Sequence, residues 1–283
     1  MIFEFKNFSD TLFEGLDYEN HIKKNSLDKL LNISLENYGH IKEKISHHPY
    51  HGVDTNLSSA IEPELDDLGR LHFLILSRNV TTILEFGVGK STIIFNDALA
   101  KNEQLNVQFL KKNLRRSNPF ECHSVDNYAK WIDEVESKNK LENVTLHFSE
   151  LEMGLFNDRI CTFYSSIPNV CPDFIYLDGP DQFSPKGKIR GVSTNHPDRL
   201  PMAADILSIE HFLLPGTLIV TDGRTANARF LKANFQRDWI YCHNEAFDQH
   251  YFELSETPLG VYNKRQIEFS LGDGFFERLQ RNF

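Results

Sequence analysis

Val80-Thr81-Thr82-Ile83-Leu84, followed at once by Glu85-Phe86-Gly87-Val88-Gly89-Lys90-Ser91-Thr92, decides how the rest of the chain is read. The β-branched, apolar run predicts a buried strand, and the acid with two closely spaced glycines predicts a sharp turn into a helix. Gly87 and Gly89 lack the Cβ that holds a backbone away from a ligand, and the N–H groups of a helix start favour polar or anionic partners. Strand, glycine turn and helix in that order build a ligand pocket at the carboxyl end of the first strand of an open α/β sheet.

Three nucleotide motifs compete for this turn. Gly89-Lys90-Ser91-Thr92 matches the end of a phosphate-gripping P-loop, but that motif wants a glycine where Leu84 stands inside the strand. A dinucleotide fingerprint wants Gly or Ala at Thr92 and a ribose-binding acid about 20 residues on. The first acid ending a plausible next strand is Asp126, much later. The third pattern fits best: Glu85-x-Gly87-x-Gly89-x-Ser91 resembles the first motif of class I S-adenosylmethionine-dependent methyltransferases, with Ser91 in place of the last glycine.

The order downstream agrees with that resemblance. Residues 121–125 predict a second strand ending in Asp126-Asn127, and a helix follows over 128–138. Residues 144–148 predict a third strand ending at Ser149-Glu150, and 174–177 a fourth ending in Asp178-Gly179-Pro180. Met202, Ile206, Ile209 and Leu213 mark a helix stopped by Pro215-Gly216, before a fifth strand over 217–220 that ends in Thr221-Asp222-Gly223. A last hairpin, near 251–254 and 259–262, is expected to add antiparallel strands at the edge. Strands alternating with helices predict a doubly wound, Rossmann-like, mostly parallel sheet. Acids stand at nearly every predicted strand end, where open α/β sheets bind their ligands.

The resemblance covers residues from about 60 to 265 and implies roles for these positions. Asp126 would accept hydrogen bonds from the ribose hydroxyls, a vicinal diol that suits two carboxylate oxygens. Asn127, Ser149 and Glu150 would line the adenosine, and Glu85, Gly87, Gly89 and Ser91 the methionine part. Asp178 would sit where methyl donor and acceptor meet, as the base or, with Asp222 and Asn227, as a ligand of Mg²⁺; Gly223 replaces the second fifth-strand ligand that metal-dependent relatives carry. His196, in the basic insertion 184–199, is an alternative base. Lys186, Lys188, Arg190 and Arg199 make that insertion a candidate lid for an acidic or phosphorylated small-molecule acceptor. The implied function is methyl transfer to a hydroxyl. NAD-linked oxidoreduction and non-catalytic nucleotide binding are the alternatives.

Before the first strand, residues 1–57 predict a helical extension, a cap or a dimer contact, leaving 58–283 as the main domain. Leu27, Leu30 and Leu31 share an apolar face there, and Ile41 and Ile45 continue it. In His47-His48-Pro49-Tyr50-His51, proline denies the helix that would align the outer histidines for a metal. Ser59-Ala60-Ile61-Glu62 reads as a capping box. A net charge of −10 argues against nucleic acid as the partner. Four scattered cysteines, no signal-peptide pattern and no membrane-length apolar run predict a soluble cytoplasmic protein.

Overall fold

The structure, a computed structural model, describes residues 2–5, 7–33 and 64–281. The readings at Ile41 and Ile45, the histidine-rich turn 47–51 and the capping box at Ser59 lie outside the described residues.

Strand β1 (Ile2–Glu4) leads to three short helices, α1 (Phe8–Leu12), α2 (Tyr18–Asn25) and α3 (Leu27–Leu31). Helix α4 (Leu65–Ser77) then enters β2 (Thr82–Phe86), α5 (Lys90–Asn113), β3 (Glu121–Asp126), α6 (Ala129–Lys138) and β4 (Val144–Phe148). A hairpin of β5 (Leu151–Phe156) and β6 (Arg159–Tyr164) precedes β7 (Phe174–Leu177), α7 (Asp205–Ile209) and β8 (Leu218–Asp222). The chain ends with α8 (Thr225–Asn234), β9 (Trp239–Asn244), β10 (Gln249–Leu254), α9 (Val261–Leu271) and α10 (Asp273–Arg281).

Eight strands form one sheet in the order β4-β3-β2-β7-β8-β10-β9-β1, and only β10 runs against its neighbours. The expected doubly wound α/β sheet is therefore present. Alternate residues divide between its faces: Ile83, Phe174 and Tyr176 join one core cluster, while Leu84, Ile175 and Leu177 join the other. Helices cover both faces, which is why the central strands are apolar throughout. The order reverses on either side of β2, so the carboxyl ends of β2, β3 and β7 border one crevice.

Two expectations need correction, the last hairpin and the place of Leu30. The reversed strand β10 lies inside the sheet, between β8 and β9, and its hairpin partner is β9; residues 261–271 are helical instead. Helix α5 runs through the polar stretch after Ala100, as far as Asn113. The described part of 1–57 has no core of its own. Phe8, Ile22, Leu27 and Leu31 are buried in the same cluster as α4 and α5, while Leu30 points outward.

Candidate functional site

Glu85, in the last turn of β2, is fully buried, and its carboxylate accepts hydrogen bonds from Ser91 Oγ at 2.5 Å, Thr92 Oγ1 at 2.8 Å and Ser124 Oγ at 2.5 Å. Burial pushes its pKa up to about 7 against those three hydroxyls. The acid therefore positions the turn and the start of α5, and it and Ser91 are bonded to each other in the interior. Lys90 reaches back to the Leu31 carbonyl at 3.3 Å, away from any phosphate cradle.

The two glycines have different jobs. Gly87 has φ +108°, and a Cβ there would lie 2.7 Å from Gly179 N; one on Gly179 would lie 2.6 Å from Gly87 N. The turns after β2 and β7 thus touch backbone to backbone, a reason for glycine at 87 that needs no ligand. Gly89, the residue before α5, has nothing within 4 Å of a built Cβ. Its face is open, beside the positive end of a 24-residue helix.

Asp126 reaches across from β3 to the same turn. Its Oδ2 accepts from Val88 N at 2.8 Å and its Oδ1 from Tyr128 N at 2.7 Å. Burial raises its pKa to about 6, with those amides pulling the other way. With the Asn127 backbone amide as a third donor, about one of the carboxylate's four lone-pair sites stays open, so it holds the glycine turn and still has acceptor capacity. Asn127 bridges to the loop after β7: its Nδ2 donates to Ser184 Oγ at 3.0 Å and its Oδ1 accepts from Asp181 N at 3.2 Å. Ser149 is buried, its hydroxyl bonded to Ser165 Oγ at 3.2 Å and accepting from Ser166 N at 3.0 Å. Glu150 is exposed and paired with Lys186.

Asp178 and Asp222 stand at the ends of adjacent parallel strands. Burial, then the charge of Asp178, pushes Asp222 up to about 7, while Tyr176 donates its hydroxyl to Asp222 Oδ2 at 2.9 Å. The protein around Asp178 also pushes its pKa up, opposed by Arg224, whose Nε lies 3.7 Å away. Its side chain is 58% exposed, so water tempers that shift. Asn227 does not join them. It is fully buried, accepting from Ala203 N at 2.8 Å and donating to Ala203 O at 2.9 Å.

The donor set does not fit Mg²⁺. With Asn227 engaged and Gly223 lacking a side chain, two carboxylates are left, and one of them, Asp178, already has a guanidinium beside it. Asn227→Ala should lower stability by about 1–2 kcal/mol, because both Ala203 backbone groups lose their partner. Urea denaturation with and without Mg²⁺ checks this: a loss seen only with the ion would restore Asn227 as a ligand. His196 is exposed, and its Nδ1 accepts only from Asp198 N, at 3.1 Å on its own turn.

Sequence reasoning missed Thr92 and Ser124 as partners of Glu85, and Gly179 as the reason for Gly87. It also missed the β5–β6 hairpin. Asn157-Asp158, both at positive φ between the two strands, was the available signal for a two-residue turn. Grooves of about 370 and 320 Å³ lie on other faces, along α5 and α9 and between α1 and α10. Among the described residues no helix is long and apolar enough to cross a membrane.

No protein-family model and no curated protein matches the chain. Among solved structures, the SAH-bound Podospora anserina methyltransferase PaMTH1 aligns over 85% of this chain and 97% of that one, at 12% identity and a TM-score of 0.34. So loose a likeness carries no argument about function.

Proposed function

We propose that the chain is an S-adenosylmethionine-dependent methyltransferase that acts on a hydroxyl of a small molecule. The observation that carries this reading is the open face at Gly89, beside a helix N-terminus, with the Asp126 carboxylate hydrogen-bonded to the neighbouring residue. The sheet favours it over the NAD-linked reading. Dinucleotide-binding folds continue β8 with a further parallel strand, whereas here the reversed β10 intervenes.

In this reading Gly89, Asp126 and Asn127 hold the donor, and Asp178 and Asp222 border the acceptor. The bound donor supplies an activated sulfonium methyl group. The chain's own work is alignment, exclusion of water and removal of the hydroxyl proton. Asp178 and Asp222 are suited to that proton, since burial raises the proton affinity of both and the charge of Asp178 raises that of Asp222 further. An ionised member takes the acceptor's proton as the oxygen–carbon bond forms and the carbon–sulfur bond breaks. His196 serves only if the insertion closes. Lys188 and Arg190, both exposed on that insertion, suit an acidic or phosphorylated acceptor. A cytoplasmic location and a homodimer through the N-terminal segment belong to the same proposal.

Thermal denaturation with S-adenosylhomocysteine or NAD tests it. The homocysteine product at 100 times its Kd should stabilise the fold by about 2.7 kcal/mol. Gly89→Leu, whose side chain would occupy the open face at a φ of −174° that any residue adopts, should keep its own melting temperature and lose that shift. Stabilisation by NAD instead, or an undiminished shift in Gly89→Leu, would end the proposal. Asp126→Ala is the poorer probe, because it also releases Val88 and Tyr128.

A further inference from the structure

The β9–β10 hairpin folds back beside the turn after β8 and gathers three ligand-type side chains that the reading above leaves unused. His243 and His250 face each other directly in the antiparallel ladder, their rings stacked with centroids 3.9 Å apart. Asp248 stands just before β10, at φ +50°, and brings Oδ1 to 3.7 Å from His243 Nε2. One ligand atom from each of His243, Asp248 and His250 lies within 4.8 Å of the other two.

Two further observations point to an ion. His243 Nε2 is buried and has no hydrogen-bond partner, an uncommon state for a polar atom. His250 is fully buried, with one ring nitrogen against the Tyr241 hydroxyl at 3.0 Å and the other against the Thr225 hydroxyl at 3.1 Å. Whichever nitrogen turns to a metal, the other keeps the hydroxyl partner that orients a ligating imidazole.

We propose that His243, Asp248 and His250 bind a divalent transition metal, with zinc the preferred ion. Two imidazoles and one carboxylate, with a fourth position left for water, are a zinc donor set; an oxygen-only cluster would suit magnesium or calcium. Donors about 2.0–2.2 Å from a tetrahedral zinc are about 3.4 Å from one another, close to the existing 3.7 Å between His243 and Asp248. The stacked rings must splay to direct both lone pairs at one ion. His243, 25% exposed and unbonded at Nε2, is the ring able to swing. Because Gly223 N donates to Asp248 O at 3.0 Å and Thr225 touches His250, the ion would fasten the hairpin to the turn that carries Asp222.

The site does not depend on methyl transfer, and neither does its test. The full-length protein, stripped with a chelator, is titrated with Co²⁺ as a spectroscopic probe and then with Zn²⁺ in competition. One Co²⁺ per chain is expected, with visible bands of tetrahedral intensity that Zn²⁺ abolishes. His243→Gln, at a partly exposed position, and Asp248→Asn, at a left-handed position that asparagine tolerates, should each weaken binding by about 100-fold or more. Both should melt in chelator at the parent's temperature. Absence of a saturable Co²⁺ band, or parental affinity in both variants, would overturn the proposal.

Discussion

Gly87→Ala is expected to destabilise the protein by on the order of 3 kcal/mol. Two penalties combine. The φ of +108° is strained for an L-residue, and the new Cβ would meet the Gly179 nitrogen at 2.7 Å and the Asp178 carbonyl carbon at 3.2 Å. Those neighbours are backbone, held in turn by hydrogen bonds from Asp178 N and Gly179 N to Phe86 O, so they cannot swing aside as a flexible side chain would. Equilibrium urea denaturation measures the loss. A change below about 1 kcal/mol would mean that the two turns can separate, and that the contact is not fixed.

Glu85→Ala should come next, at about 3 kcal/mol, because it strands the hydroxyls of Ser91, Thr92 and Ser124 in the interior. Glu85→Gln separates packing from charge. The carboxyl's ordinary value of 4.5 is raised to about 7 by burial, so between these values the native protein holds a proton that the unfolded chain has released. Stability from this group is therefore complete below pH 4.5 and declines as pH rises toward 7, by up to about 1.4 kcal/mol per unit. The glutamine variant lacks that decline. Other titrating groups are common to both proteins and cancel in the difference between their stability–pH curves. A difference that is flat across this window would show that Glu85 is ionised throughout.

The sequence pattern was most legible where a strand is buried on both faces and stops at an acid. Residues 174–177, all buried, were bounded correctly because the apolar run ends there at Asp178, whereas 144–148, an edge strand with no buried residue, was bounded only by the polar pair Ser149-Glu150 that follows it. Legibility failed where partners are distant. Nothing local announces that Gln249–Leu254 pairs on one side with β8 and on the other with β9, since that choice is made by tertiary packing. The site shows the same division. The strand-end acids were found one by one, but their assignments depended on neighbours far along the chain: Asn227 is turned away by Ala203, and Asp126 is bound by Val88. A motif read along a line cannot say which of its oxygens the fold itself will consume.

The parallel addition of Ile2–Glu4 to β9 has a consequence for behaviour in crowded solution. Strand β9 would otherwise offer an unpaired row of amides and carbonyls, a template on which a second chain could stack. The tether is short, three paired residues extended by Phe5 N donating to the Tyr241 carbonyl, and the lysine over the Tyr241 ring is ionically linked to Glu4 on the tether itself. Solubility on that flank thus rests on a handful of residues at the far end of the polypeptide from the strand they shield.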